Sequence, residues 1–229
     1  MTAPQDAPIR DAATIIVLDR DRAEGPAVLM GQRGAGAAFM PSKYVFPGGA
    51  VDAADAGVRF ATPLDARLRA RLAAEPRPGV VLSPEAILAA ALRELAEETG
   101  LLVGSPGPAP DAWDHYARAG LTPDPGGLTY IFRAITPPGR PRRFDARFLL
   151  LDARRIHGDR DDFGTACDEL SHLHWVPLTQ ARALDLPFIT EVVLAEVAAL
   201  ARRPGPITFP DSVPFFDNRG VQPRFARIA

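Results

Sequence analysis

Arg93-Glu94-Leu95-Ala96-Glu97-Glu98-Thr99-Gly100 closes the stretch whose reading decides this fold, a helix expected over residues 84–99. Ser83 is suited to cap it, Pro84 to open its first turn and Glu85 to complement its dipole. Gly100 stands where a left-handed residue ends a helix. At about 100° per residue, Glu94, Glu97 and Glu98 share one arc of roughly 100°, while Leu88, Leu92, Leu95 and Thr99 lie opposite and can face a core. Three carboxylates so close repel one another unless something positive sits among them. Hard divalent cations take such oxygen ligands, magnesium favouring a few carboxylates with water and phosphate oxygens. Arg93, one turn before Glu97, can hold that carboxylate in place. A solvated acidic face on a surface helix is the competing reading. The context favours the first: Phe46-Pro47-Gly48-Gly49 upstream forms a tight turn whose backbone carbonyl can approach a metal, and Gly100 stops the helix just after the acids.

The elements around this helix alternate in type. Strands are expected over 12–18 and 27–31, as a hairpin, and over 128–135, 144–151 and 173–176. Helices are expected over 64–75, ended by Pro76-Arg77-Pro78-Gly79, around 111–119, over 178–184 and over 190–202. The tail after Pro204 is expected to lie extended against the surface. Interleaved strands and helices imply an α/β sandwich on a mixed sheet. The 229 residues, 47% hydrophobic and 24% charged, suit one compact domain over 1–229 with embellishments, an insertion at about 53–82 and a tail at about 204–229.

Composition narrows the function classes. Cys167 is the single cysteine, which excludes a disulfide framework or a cysteine-based zinc cluster. A net charge of −2 argues against nucleic-acid binding by bulk charge. No apolar run is long enough for a membrane span, and residues 1–11 lack the apolar segment of a secretory signal, so a cytoplasmic location is expected. Lys43 is the only lysine; every other basic residue is an arginine.

The motif resembles the signature of the Nudix hydrolases: Gly, five residues, Glu, seven residues, then Arg-Glu-apolar-x-Glu-Glu-x-Gly-apolar. Glu85, Arg93, Glu94, Leu95, Glu97, Glu98, Gly100 and Leu101 match its second half. The first half departs, because Gly49 lies 36 positions before Glu85 where the pattern has six, an insertion of 30 residues. Asp55 stands six after Gly49 and can mimic the missing acid, although Glu85 has the better helical context. The agreement spans roughly residues 10–200.

The resemblance implies a Nudix α/β/α sandwich that hydrolyses a nucleoside diphosphate linked to another moiety, using Mg2+ or Mn2+. It makes Glu97, Glu98 and the Gly48 carbonyl metal ligands, Glu94 a further ligand or the base, Arg93 the group that orients them, and Glu85 support for the helix start. Glu169 is the candidate late acid, with a plain surface acid as the alternative. A similarly split signature is found in the family's coenzyme A diphosphatases, and Arg33 stands thirteen before Phe46 as in coenzyme A hydrolases, although Ala38 and Ser42 depart from the expected basic residue and glycine. Coenzyme A or acyl-coenzyme A is therefore the expected substrate. ADP-ribose or a nucleotide sugar, a non-cleaving nucleotide sensor, and an interaction protein gripping a partner with its tail are the alternatives. The expected partner is a small nucleotide-type molecule, with a homodimer open.

Arg33, Phe46, Gly49, Arg142 and Arg143 are the candidate substrate contacts. In Arg140-Pro141-Arg142-Arg143-Phe144-Asp145 the arginines can grip phosphates or form a solvated turn with one of them paired to Asp145. Arg67, Arg69 and Arg71 offer a basic lid or a solvated helix face. Trp113 and Tyr116 are read as core anchors, and His172 and His174 as neighbours on one strand face.

Overall fold

A computed structural model describes residues 7–37, 40–220 and 222–229; Ala38 and the first part of the 1–11 segment lie outside them. The strands are β1 (Ile9–Asp19), β2 (Ala27–Arg33), β3 (Tyr44–Val45), β4 (Gly48–Ala50), β5 (Gly104–Pro106), β6 (Leu121–Pro123), β7 (Thr129–Ile135), β8 (Arg143–Asp152), β9 (Leu170–Pro177), β10 (Val213–Asp217) and β11 (Arg224–Ile228). The helices are α1 (Ala66–Ala73), α2 (Pro84–Thr99), α3 (Asp114–Ala119) and α4 (Phe188–Ala201). Nine strands form one mixed sheet in the order β11-β10-β7-β8-β1-β2-β3, with β4 on β1 and β9 on β2; β5 and β6 pair separately. β1 runs parallel to β8, and β7 parallel to β10.

β1 shows why the first apolar run lacks alternation. Ile15 and Val17 pack with Ile87, Leu88, Leu92 and Leu95 of α2, while Ile16 and Leu18 pack on the other face with Val193, Leu194 and Val197 of α4. Both faces are covered, so both must be apolar. This is the expected α/β/α sandwich. Helix α2 holds its expected bounds: the Ser83 side chain accepts from the Ala86 N–H and Gly100 is left-handed at φ 77°. Among the described residues no helix is long and apolar enough to cross a membrane.

Three expectations are corrected. Residues 178–184 form turns around a single 3-10 turn, Ala181–Ala183, instead of a helix. The tail is part of the sheet instead of lying on the surface: β10 and β11 extend it, burying Val213, Phe215 and Ile228. Pro214 inside β10 disguises the alternation, since proline withholds a ladder donor and argues against a strand. Arg71 is neither lid nor solvated face. It is buried and donates to the carbonyls of Pro210 and Asp211, both at 2.6 Å, and of Ala229 at 3.1 Å, while Arg67 lies over the Phe209 ring. The inserted helix is thus tied to the tail.

A second arginine fastens the C-terminal end of that helix to the sheet. Arg133 of β7 is buried, meets both oxygens of Asp145 at 2.8 Å, and donates to the carbonyls of Ala74 and Glu75 just past α1. Arg77 reaches Asp145 and Asp11, and Arg147 reaches both as well. Among the described residues Asp145 is served by Arg133, Arg77 and Arg147. Burial alone would raise its pKa, but these guanidinium groups outweigh it and hold the carboxyl below its ordinary 3.8.

Removing one partner of a buried pair strands the other. Arg133→Met is expected to cost about 3 kcal/mol in urea unfolding, the low end of the usual range because Arg77 and Arg147 remain. A depressed folded pKa gives stability above the unfolded value that disappears as pH falls through the folded value. The parent should therefore lose more stability than Arg133→Met on acidification below pH 3.8.

Candidate active site

The glycine turn and α2 meet edge to edge. β4 pairs with β1, Thr14 opposite Gly48 and Ala13 opposite Gly49. A Cβ at Gly48 would collide with the Ala13 carbonyl of β1, and one at Gly49 with the Glu94 carboxylate, so Gly48 lets β4 lie against β1 and Gly49 leaves room for the Glu94 carboxylate. The Gly48 N–H donates to Glu98 Oε2 at 2.8 Å. Phe46 is buried in the core with Val28 and Met30 and anchors the turn from within, where the sequence reading had it as a substrate contact.

The three glutamates divide into a buried pair and a rim residue. Glu98 is only 1% exposed and Glu94 is largely buried, whereas the Glu97 side chain is 48% exposed. Glu98 Oε1 is buried and lacks a hydrogen-bond partner among the described residues. Burial and the neighbouring Glu94 charge push the Glu98 carboxyl well above its ordinary pKa; burial also raises Glu94, which Arg93 partly offsets.

Arg93 organises the cluster. Its Nη1 donates to Glu94 at 2.8 Å and Glu97 at 3.1 Å, Nη2 to the Ala50 carbonyl at 3.1 Å, and Nε and Nη2 to the two oxygens of Asp55 at 3.0 and 3.1 Å. Burial would weaken the guanidinium charge, but hydrogen bonding to Asp55 and the charges of Glu94 and Asp55 raise its pKa above the ordinary arginine value. Asp55 is fully buried in a 3-10 turn, Ala53–Gly57, and also accepts from the Asp52 N–H. Asp55, six residues after Gly49, thus occupies the place that sequence context had favoured for Glu85. Glu85 lies at the far end of α2, about 13 Å along its axis from Glu94, and pairs with Arg69 of the inserted helix. The insertion falls after the acid that holds Arg93.

The other candidates separate. Arg33, at the end of β2, pairs with Glu169 at 2.8 Å, a contact the sequence did not suggest. Arg143 is buried and donates to the carbonyls of Thr136 and Asn218, and Arg142 is exposed on the same turn, so this turn is not brought to the carboxylates. His174 Nδ1 contacts the His172 carbonyl at 2.7 Å, with His172 at φ 51° beside a register shift in the β2–β9 ladder. A cleft of about 220 Å3 opens beside α2, lined by Arg93 and Glu97 and, from the α3 segment, by Trp113, His115 and Arg118. Trp113 and Tyr116 are buried, with ring centroids 5.2 Å apart, so the core anchors also wall this cleft.

No family model matches the chain. The crystal structure of a NUDIX hydrolase from Alicyclobacillus acidocaldarius is similar at a TM-score of 0.59 and 29% identity, over 85% of this chain and 93% of that one. Acyl-coenzyme A diphosphatase NUDT19 of Gallus gallus is 30% identical over 188 residues, covering 57% of this chain. In the motif of α2 and in its fold the chain resembles the Nudix hydrolases. The chain spans about half the length of that curated relative, 50%.

Nudix hydrolases use divalent metals, and the residues present fit one. A buried carboxylate oxygen without a partner beside a second carboxylate is a costly arrangement that a cation would relieve. Among the described residues no group of three or more His, Cys, Asp or Glu side chains is gathered closely enough to hold a metal ion by itself.

Two measurements probe this arrangement. Asp55→Asn should lower turnover about 10–100-fold, as losses of a supporting partner do, with Glu85→Gln near the parent. For Glu98, a raised folded pKa means stability present below the unfolded value is lost as pH rises through the folded one. In metal-free buffer Glu98→Gln should therefore melt higher than the parent at neutral pH, and the difference should vanish below about pH 4.5.

Proposed function

We propose that the chain hydrolyses the diphosphate bridge of a nucleoside-diphosphate-linked substrate, with coenzyme A or acyl-coenzyme A as the substrate. The observation that carries this reading is the unpartnered Glu98 oxygen, buried against Gly48 and Glu94. The substrate assignment is supported by the Gallus gallus relative, itself described as an acyl-coenzyme A diphosphatase, and by Arg33 at its position before Phe46.

Glu97 and Glu98 are the residues to hold Mg2+ or Mn2+, with Glu94 a further ligand or the base; the ion when bound neutralises diphosphate charge and lowers the pKa of water. Arg93 keeps Glu94 and Glu97 from turning away, and Asp55 keeps Arg93 from following them. Glu94, with a raised pKa and an edge against Gly49, can accept the proton of the attacking water. The water oxygen bonds to one phosphorus as the bridging P–O bond breaks and the bridging oxygen leaves with the other phosphorus, so each half of the substrate keeps one phosphate of the bridge. Arg33 is placed to bind a phosphate, and the cleft between α2 and α3 to receive one flank of the substrate. With most groups fixed in advance, positioning and charge stabilisation carry the acceleration.

The test is incubation with coenzyme A, acyl-coenzyme A, ADP-ribose and nucleotide sugars in Mg2+ or Mn2+, with products assigned by mass spectrometry. Coenzyme A cleavage at its diphosphate is expected; preference for ADP-ribose would reassign the substrate, and binding without turnover would make the protein a sensor. Glu97→Gln should lower kcat by about 10²-fold or more. Arg33→Ala should act mainly on KM, by about 10-fold as a lost charge-assisted hydrogen bond implies.

A further inference from the structure

Arg33 and Glu169 are unequal partners. The Arg33 side chain is 19% exposed and that of Glu169 52%. The contact runs from Nη2 to one carboxylate oxygen at 2.8 Å, while Arg33 Nε is buried with no hydrogen-bond partner among the described residues. A guanidinium offers Nε–H and Nη2–H as a parallel fork that matches two oxygens of a carboxylate or phosphate. Here only one tine is used, and a buried donor left unmet is rare in folded proteins. The pair also lies within electrostatic reach of the carboxylates: the Arg33 charge lowers the pKa of Glu98, and the Glu169 charge raises those of Glu94 and Glu98.

We propose that Glu169 is a displaceable counter-anion, holding Arg33 by one oxygen until a phosphate or phosphomonoester takes both Nε–H and Nη2–H and sends the carboxylate back to solvent. This rests on the diphosphatase reading only for the identity of the anion. The exchange is cheap because an ion pair with a half-exposed partner is weak, and the incoming oxyanion satisfies a donor that Glu169 leaves unmet. Glu169 then acts as a filter, admitting ligands that offer two oxygens to the fork and excluding those that cannot outcompete a tethered carboxylate. Any affinity gained at Arg33 is reduced by the fraction of protein in which Glu169 occupies it.

The test is isothermal titration of the metal-free full chain with inorganic phosphate and with AMP, so that hydrolysis does not enter. Glu169→Gln should bind both roughly 2–5-fold more tightly than the parent, the worth of a weak ion pair. Glu169→Asp, which keeps the charge but shortens the reach, should shift affinity the same way. Asp168→Asn, which removes an exposed neighbouring charge without touching Arg33, should leave it unchanged. Arg33→Ala should lose binding whether or not Glu169 is present. Parent-like affinity in Glu169→Gln or Glu169→Asp, equal tightening in Asp168→Asn, or no measurable binding to parent or Glu169→Gln would each overturn the proposal. Loss of binding in Arg33→Ala with Glu169→Gln unchanged would leave Arg33 as an anion site and remove only the displacement. Absence of turnover in the substrate screen would remove the diphosphatase reading and leave these titrations intact.

Discussion

A single guanidinium holds this site together. Arg93 contacts Glu94, Glu97, Asp55 and the Ala50 carbonyl, so one side chain ties α2 to β4 and to the turn that follows it. Without it, three carboxylates on one arc would repel and rotate apart. With it, they stay ionisable and aimed, at the cost of one buried arginine whose charge Asp55 balances. Placing Asp55 directly after the glycine turn also explains how 30 residues can be inserted into the motif without disturbing it. The closely packed unit ends at Gly57, and the chain is free to wander before returning at Ser83.

The insertion does not wander far. Arg71 binds carbonyls of the tail, Arg133 binds carbonyls at the end of α1, and Arg77 reaches Asp11 and Asp145. Arginine suits this work because its planar fork serves several acceptors at once and its charge persists when buried. In a chain with one lysine, arginines act as cross-links between segments far apart in sequence. The tail is part of that scheme: β10 lies beside β7, and Arg133 stacks over Phe215 at 4.3 Å. The sheet, the insertion and the tail therefore stabilise one another.

The legibility of individual residues followed the range of the interactions that place them. Helix α2 was readable to the residue because its cap, first-turn proline, carboxylate spacing and terminal glycine all act within a few positions. β1 was readable because burial on both faces demands an unbroken apolar run. Asp55 was visible as a spacing of six from Gly49 but was set behind Glu85, since helical context is a local signal and the contact with Arg93 is not. β10 was hidden by Pro214, and Phe46 looked like a ligand contact because its position in the core depends on α4, about 150 residues later in the chain.

The order of residues alone settled the carboxylate ridge, the glycine turn and the alternation of strands and helices, because periodicity and capping are properties of neighbours in the chain. The folded molecule alone decided which carboxylate Arg93 leans on, that Glu98 is buried while Glu97 stands at the rim, that Arg33 meets Glu169, and that the tail completes the sheet. These outcomes depend on desolvation and on contacts between segments brought together from tens to more than a hundred positions apart, and no local pattern encodes how much water a carboxylate will lose.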